Sequence, residues 1–178
     1  KGEGLGNKFL AHIREVDAVA QVVRCFEDGN ITHVEGSINP LRDIEIINTE
    51  LCLADMETVE KRQERLVKLL KTGDKKVPVE KGLFSIRLWR VWAKRSGTPP
   101  WLTDEEKEFL TELHLLTMKP VLYVANVAED EVVAPENNPH VQAVMKYAEE
   151  EGAETIVVSA KMESEIAELP EDEAKEFL

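Results

Sequence analysis

The chain has 178 residues, of which 43% are hydrophobic and 32% are charged, and its formal net charge at pH 7 is −13. This length and apolar fraction predict one domain with a core of ordinary size, or one domain with an insertion. No run of about 18 apolar residues is present, so the sequence predicts no membrane-spanning helix. The start of the chain has no signal-peptide pattern, and we therefore expect a cytoplasmic protein.

A glycine-rich segment, residues 1–7, opens the chain. It is not predicted to be a phosphate-binding loop, because no strand precedes it and no Gly-Lys-Ser/Thr follows it. We interpret it as a flexible loop that leads into a helix over residues 9–15. An apolar run over residues 18–26 then predicts a strand buried on both faces, and the polar residues 27–30 end it.

The side chains that could bind a metal are few and scattered along the sequence. Cys25 and Cys52 lie in apolar surroundings, which favours buried free thiols over a disulfide. The histidines have no metal-ligand spacing with each other or with the cysteines, so we expect no metal site in this chain. These histidines are His12, His33, His114 and His140.

The longest predicted helix begins at Asn39 and Pro40, which suit the N-cap and the first turn, and it ends near residues 72–74. At ~1.5 Å per residue, ~30 residues make a helix of ~45 Å, longer than a helix that flanks a sheet needs to be, so we expect its outer half to project. Its apolar positions recur at helical spacing and predict a seam for a partner helix. They are Leu41, Ile44, Ile47, Leu51, Ala54, Val59, Leu66 and Leu69 or Leu70.

A second helix is predicted to return along the first, from Thr103 to about Met118. Thr103 and Glu106 match a capping box, and Lys119 with Pro120 ends the helix. Together the two helices predict an antiparallel arm inserted in an α/β domain. The residues that can face the long helix are Leu110, Leu113 and Leu116 or Thr117.

Positive charge is concentrated in residues 61–95, which hold 12 Lys and Arg but only three acidic residues. This segment carries +9, so the rest of the chain carries −22. One interpretation is a solvated helical surface. The other is a contact with RNA phosphates, in which Arg62, Arg65 and Lys68 are candidates, because clustered Lys and Arg supply sequence-independent affinity for nucleic acids.

Two short apolar runs near the C-terminal end, residues 121–126 and 155–158, predict strands of a parallel sheet. A crossover helix is predicted between them, with Asn138 as its cap, Pro139 in its first turn and Gly152 at its end. Strand, helix and strand together make a right-handed βαβ unit. The helix has one apolar face, formed by Val141, Val144 and Ala148.

Polar residues follow both of these strands, at the sheet edge where open α/β sheets bind ligands. Asn126 and Glu129 can bracket the hydrogen-bonding edge of a purine. Ser159, Ala160 and Lys161 can offer backbone N–H groups and an aliphatic stem to the same ring. We interpret the pair of segments as a nucleotide-base pocket, although polar residues follow the strands of any βαβ unit.

Six blocks of sequence form a long and specific pattern: KGEGLGNKFL (1–10), VRCFED (23–28), ITHVEG (31–36), DIEIINTEL (43–51), KPVLYVAN (119–126) and NVAE (126–129). In this order they closely resemble the YchF family, the Obg-like ATPases of the translation-factor-related class of P-loop GTPases. The resemblance covers nearly the whole chain apart from residues 77–102.

The resemblance implies a Ras-like α/β P-loop domain, with a mostly parallel sheet and flanking helices, interrupted by an antiparallel helical coiled-coil arm. It implies that residues 1–55 and 119–178 belong to the nucleotide-binding domain and that residues 56–118 form the arm. The phosphate-binding loop and both switches are expected upstream, and a small TGS domain downstream.

Members of the family hydrolyse ATP, often also GTP, with Mg²⁺, and they associate with ribosomes. The resemblance therefore implies a monomer that binds ATP or GTP and the ribosome or ribosomal RNA. It implies that the Mg²⁺ ligands and the catalytic residues lie outside this chain. We accordingly expect the segment alone to be inactive.

The resemblance also assigns the base pocket. Related GTPases end this strand in Asn-Lys-x-Asp, whose Asp accepts both N–H groups of guanine, whereas this chain has Val127 and Glu129 in place of the Lys and Asp. In the family this variant accompanies ATP binding, and the residue that matches Val127 contacts adenine through its main chain. Asn126 would shape the pocket. The second base loop would be Ser159, Ala160 and Lys161, and the mobile end of the second switch would carry Gly2, Gly4 and Gly6.

Residues 81–101 depart from the family pattern, since they carry three tryptophans, two glycines and a Pro-Pro pair. This departure leaves the return path of the arm open. It also keeps a second class of function open, a non-catalytic helical-arm module that binds RNA or protein. A Gly-x-x-x-x-Gly-Lys-Ser/Thr motif upstream would discriminate in favour of the hydrolase.

Overall fold

A computed structural model gives the architecture of residues 6–27, 38–71, 111–170 and 173. Within this part of the chain, helices alternate with parallel strands, which confirms the predicted α/β class. Some expectations fall outside the described residues, and they concern Gly2, Gly4, residues 77–102 and the start of the return helix at Thr103.

The chain divides into two compact units. The helical unit comprises the described residues of Lys1–Asp17 and Ile46–Pro120, and the sheet unit comprises those of Ala18–Glu45 and Val121–Leu178. The domain limits and the coiled-coil arm that the resemblance implies stay predictions.

The sheet unit is built on three parallel strands in the order β1-β2-β3. They are β1 (Val19–Arg24), β2 (Val121–Asn126) and β3 (Glu154–Val158). Val124 in the central strand pairs with Val22 on one side and with Ile156 on the other. β1 and β3 are rich in β-branched side chains, which pack well on a pleated surface. The prediction of parallel strands is therefore confirmed, although β1 is shorter than predicted.

The crossover helix α3 (Pro139–Glu151) begins and ends as the sequence predicts. The Asn138 side chain accepts hydrogen bonds from the backbone N–H groups of His140 and Val141, which would otherwise lack partners in the first turn. Gly152 closes the helix with a φ of +70°, a conformation that glycine adopts without steric cost.

The core cluster of the sheet unit that includes α3 lies on one face of the sheet. Tyr123 and Ala125 are buried there against Val141 and Val144 of α3. On the opposite face, Val22 is 65% exposed and Ile156 is 44% exposed. The described elements therefore account for burial of one face of β1, and burial on both faces stays a prediction.

The two cysteines are both free thiols, as predicted. Cys25 is fully buried, and burial raises the pKa of its thiol to about 12, with the Glu131 carboxylate adding to the rise. Cys52 is only half-buried, so the prediction that both thiols are buried is wrong for this residue.

The helical unit contains α1 (Asn7–Glu15) and most of the long helix α2 (Pro40–Lys71). The Asn39 side chain accepts a hydrogen bond from the Arg42 N–H at the start of α2, as its cap position predicts. Leu51 and Val59 of the predicted seam are buried. Asp55 is buried between them at the same spacing of four residues.

The return helix does not run to Met118 as predicted. Thr111 and Glu112 are helical, but a turn follows at which His114 has a φ of +47°, and Leu116–Met118 form a short 3₁₀ helix. The Asp55 carboxylate accepts hydrogen bonds from the N–H groups of Leu116 and Thr117, at 2.8 and 2.9 Å. These bonds stabilise the non-helical course of the segment, because they occupy N–H groups that a continuous α-helix would use internally.

Candidate functional site

The structure brings together the two polar segments that follow β2 and β3. Asn126 is the last residue of β2 and pairs with Val158 at the end of β3. The Ala160 N–H donates a 2.9 Å hydrogen bond to Asn126 Oδ1. Parallel strands place their carboxyl ends on the same edge of a sheet, which is where such folds bind ligands. The contact of these residues with a base stays a prediction.

Val127 continues the pairing beyond the end of β2. Its N–H donates to the Val158 carbonyl at 2.9 Å, and the Cys25 N–H donates to the Asn126 carbonyl at 2.8 Å. The Val127 residue itself is buried. The Val127 N–H is therefore occupied within the sheet, and the main-chain group through which Val127 can contact a ligand is its carbonyl.

An ion pair connects the two segments on the solvent side. Lys161 Nζ lies 2.7 Å from Glu129 Oε1, and their side chains are 71% and 39% exposed. Exposed ion pairs contribute only about 0–1 kcal/mol to stability, so a ligand can displace this one at little cost. Glu129 begins the 3₁₀ helix Glu129–Glu131, whereas Lys161 lies in the first turn of α4 (Ala160–Ala167).

Ser159 has a structural role that the sequence reasoning did not assign to it. It is buried and caps α4, and its hydroxyl accepts a hydrogen bond from the Met162 N–H at 3.4 Å. In the described residues Ser159 therefore orients the segment, while Ala160 and Lys161 make the contacts with Asn126 and Glu129.

Sequence reasoning also missed the residues that hold the loop after β2 in position. Asn138, predicted only as a helix cap, donates from Nδ2 to the Cys25 carbonyl at 2.8 Å and to Glu131 Oε1 at 2.9 Å. Glu131 Oε2 accepts a hydrogen bond from the Ala128 N–H at 3.1 Å. The one signal in the sequence for these contacts was the position of Glu131, which lies between Asn126 and the helix cap Asn138.

The other predicted site residues lie in the helical unit. Gly6 precedes α1, and its carbonyl accepts hydrogen bonds from the N–H groups of Phe9 and Leu10. Arg62 is half-buried, and its Nη2 lies 3.9 Å from Glu112 Oε2. Arg65 and Lys68 are exposed on α2. A role of these residues in a switch or in RNA binding stays a prediction.

The described residues include no group of three or more His, Cys, Asp and Glu side chains that could hold a metal ion. The Mg²⁺ that the resemblance implies therefore has no fitting ligand set in the described part of the chain. None of the described helices is long and apolar enough to cross a membrane.

The helical unit has an open cleft of about 690 Å³, lined by residues that include Arg14, Lys61 and Lys119. These cations are engaged within the protein. Arg14 donates to the Thr58 hydroxyl at 2.8 Å and lies 3.8 Å from Asp55, Lys61 pairs with Glu57, and Lys119 donates to the backbone carbonyl of Arg14. The three cations that line the cleft therefore all have partners within the protein.

Asp55 is a buried carboxyl group of this unit. Its carboxylate accepts hydrogen bonds from Leu116 N–H and from the backbone N–H and hydroxyl of Thr117. Burial raises the pKa of the Asp55 carboxyl, and these hydrogen bonds and the Arg14 charge offset only part of that rise.

Comparison with known proteins gives one consistent result. The chain is 53% identical over its full length to the ribosome-binding ATPase YchF of Bacillus subtilis and 45% identical to that of Escherichia coli O157:H7. It covers 49% and 48% of these proteins, so it spans about half the length of the curated relatives it matches.

The solved structure of the YchF GTPase of Schizosaccharomyces pombe matches 99% of the chain with a TM-score of 0.80 and 34% identity, and the chain covers 48% of that protein. No protein-family model matches the chain. The agreement of sequence and structure over the full length confirms the resemblance drawn from the six sequence blocks, and the chain belongs to the YchF family.

Proposed function

We propose that the complete protein containing this chain is a ribosome-associated nucleotide hydrolase of the YchF type, which binds and hydrolyses ATP, GTP or both. Residues Asn126, Val127, Glu129 and 159–161 hold the base. The observation that carries the proposal is the Ala160 N–H···Asn126 Oδ1 bond together with the Lys161–Glu129 ion pair, at the carboxyl ends of adjacent parallel strands. The names of the Bacillus subtilis and Escherichia coli relatives support the activity and the ribosomal partner.

The hydrogen-bonding groups around Val127 match adenine better than guanine. Adenine carries an amino donor at the position where guanine carries a carbonyl acceptor, while both bases have an acceptor at N7. The Val127 carbonyl is an acceptor and suits the amino group, because the Val127 N–H already donates to Val158. The Asn126 NH₂ is not used by the bond with Ala160 and suits N7.

Glu129 and Lys161 complete this pocket. The chain lacks the Lys and Asp of the guanine motif, and Glu129 pairs with Lys161 at 2.7 Å. A longer carboxylate with this partner does not fit the guanine clamp without rearrangement, and unpaired buried groups are strongly penalised. When Lys161 leaves Glu129, its aliphatic stem can lie against the ring of the base, as such stems cover apolar surface.

The remaining parts of the proposal concern the complete protein. It requires Mg²⁺, since phosphoryl transfer in P-loop enzymes depends on the metal, and the ligands come from residues outside this chain. It acts in the cytoplasm as a monomer. Arg62, Arg65 and Lys68 contact ribosomal RNA, which is supported by the charge of +9 on residues 61–95 of an otherwise acidic chain.

Titration of the complete protein with ATP and with GTP tests the proposed base site. We expect ATP to bind at least as tightly as GTP. Glu129→Asp with Val127→Lys restores the guanine motif and should shift the preference towards GTP, whereas Glu136→Asp, on the next 3₁₀ helix of the same connection, should leave it unchanged. An affinity for GTP that exceeds that for ATP by about 100-fold in the wild type would overturn the adenine assignment.

A further inference from the structure

The Asn138 side chain does more than cap α3. A cap needs only an acceptor, and Asn138 Oδ1 supplies it to the N–H groups of His140 and Val141 at 2.8 and 3.2 Å. The amide has two further donors, and both are used: one N–H bonds to the Cys25 carbonyl and the other to Glu131 Oε1. Asn138 is almost fully buried, so each of these bonds is shielded from water.

Glu131 carries this contact into the loop after β2. Its Oε2 accepts a hydrogen bond from the Ala128 N–H, and its own N–H donates to the Ala128 carbonyl, both at 3.1 Å. This reciprocal pair closes the turn that contains Glu129. Ala128 lies between Val127 and Glu129, and Glu131 therefore connects Asn138 to the centre of the candidate base site.

Cys25 carries the other contact to the opposite end of the same segment. The Cys25 N–H donates to the Asn126 carbonyl, and the Cys25 carbonyl accepts from Asn138. Asn138, the N-cap of α3, is thus connected to Asn126 through Cys25 and to Ala128 through Glu131. Val127, whose carbonyl faces the base in the proposed function, lies between these two anchored residues.

We propose that Asn138 and Glu131 are positioning residues of the base site, which hold the backbone of residues 126–129 in its binding conformation before a nucleotide arrives. The inference rests on the proposed function, because the segment has a ligand only if that function is correct. A segment that is already ordered loses less entropy on binding, so the affinity for the base depends on two side chains that do not touch it.

Asn138→Asp in the complete protein separates positioning from capping. Aspartate caps a helix as well as asparagine does, but it cannot donate to Cys25 or Glu131, and its charge repels the Glu131 carboxylate. We expect the dissociation constant for ATP to rise about tenfold, as for the loss of one buried hydrogen bond to a charged group. Hydrogen exchange at residues 126–131, measured without nucleotide, should become faster.

Two further variants control this experiment. Gly152→Ala strains the φ of +70° at the other end of α3 and lowers the melting temperature without touching the loop, so ATP affinity and exchange at residues 126–131 should remain those of the wild type. Glu131→Gln added to Asn138→Asp exchanges donor and acceptor, since the glutamine amide can donate to the aspartate while its carbonyl accepts from Ala128. This double variant should recover part of the lost affinity.

The outcomes separate the inference from the function on which it rests. Affinity and exchange in Asn138→Asp that match those of Gly152→Ala at equal melting temperature would overturn the positioning role, as would a double variant that recovers nothing. Faster exchange with unchanged affinity would overturn it as well. A wild type that binds neither ATP nor GTP would instead overturn the proposed function, while the exchange data would still decide whether Asn138 and Glu131 order the loop.

Discussion

Asn138 in the sheet unit and Asp55 in the helical unit perform the same local task with different chemistry. Each is buried, and each accepts hydrogen bonds from two successive backbone N–H groups. Asn138 is neutral and also donates, to Cys25 and Glu131. Asp55 meets donors only, including Arg14 at 3.8 Å. The Asn138 centre therefore contains both donors and acceptors, whereas the Asp55 carboxyl faces donors alone among the described contacts.

The difference teaches how each unit responds to conditions. A buried carboxylate pays for desolvation whenever it is ionised, and its pKa is raised for that reason. A buried amide does not itself titrate, so burial imposes no such ionisation cost on Asn138. The loop of the candidate base site is accordingly held by a side chain that does not titrate, while the 116–118 segment is held by a buried carboxyl group that does.

Truncation of the Asp55 side chain should have the largest effect on stability. Asp55→Ala leaves the buried N–H of Leu116 and the N–H of Thr117 without their acceptor, and we expect local stability to fall by about 3 kcal/mol. Native-state hydrogen exchange at these two amides in the complete protein measures the loss. Glu57→Ala is the matched control, because it removes an exposed carboxylate from the same helix and should leave the exchange of these two amides almost unchanged. Equal losses in both variants would contradict a special role for Asp55.

The pH dependence of stability should also distinguish Asp55 from Asn138, with a smaller effect than the truncation of Asp55. Because the Asp55 pKa is raised above its ordinary value of 3.8, the folded state holds this proton more tightly than the unfolded state. Its contribution to stability is therefore full below pH 3.8 and is lost as the pH rises through the raised pKa, with a slope of at most about 1.4 kcal/mol per pH unit.

Urea unfolding of the complete protein at a series of pH values should show this slope. Asp55→Asn should remove it, and Asn138→Ala should leave it in place. A wild type whose Asp55-dependent stability rises with pH over the same range would show that the three hydrogen bonds and Arg14 outweigh burial.

Charge reversal at the exposed cations Arg65 and Lys68 should have the smallest effect on stability, and its main effect should be on RNA binding. Arg65 and Lys68 are exposed on α2, so Arg65→Glu and Lys68→Glu should each change stability by less than about 0.5 kcal/mol. If they contact phosphates, each reversal should weaken binding of ribosomes or RNA and lower the slope of log affinity against log salt by about 1. Lys146→Glu, on the exposed side of α3, is the control. Binding at low salt that is equal in all three variants would assign Arg65 and Lys68 to solvation alone.

The elements that the sequence predicted well have local signals. The limits of α3 follow from Asn138 and Gly152, whose capping roles depend on residues within one helical turn. The convergence of Asn126 with Ala160 follows from parallel topology. These parts of the fold and of the candidate site are accessible to sequence reasoning because each depends on a few neighbouring residues.

The features that were missed depend on partners far along the chain. Asn138 bonds to Cys25 over 113 residues, and Asp55 bonds to Leu116 over 61 residues. Neither local composition nor periodicity indicates such a partner, and an Asp within a charged helix reads as a solvated residue.

The pairing of the three strands has a further consequence for the chain that connects them. Val19 pairs with Val121, whereas Leu122 pairs with Glu154, so β1 closes a loop of roughly 100 residues and β3 one of roughly 30. Loop-closure entropy grows only with the logarithm of length, and the longer loop costs about 1 kcal/mol more. Doubling the segment between β1 and β2 would add only about another 0.6 kcal/mol. The sheet can therefore carry a connecting segment of widely varying length between these strands without losing its register.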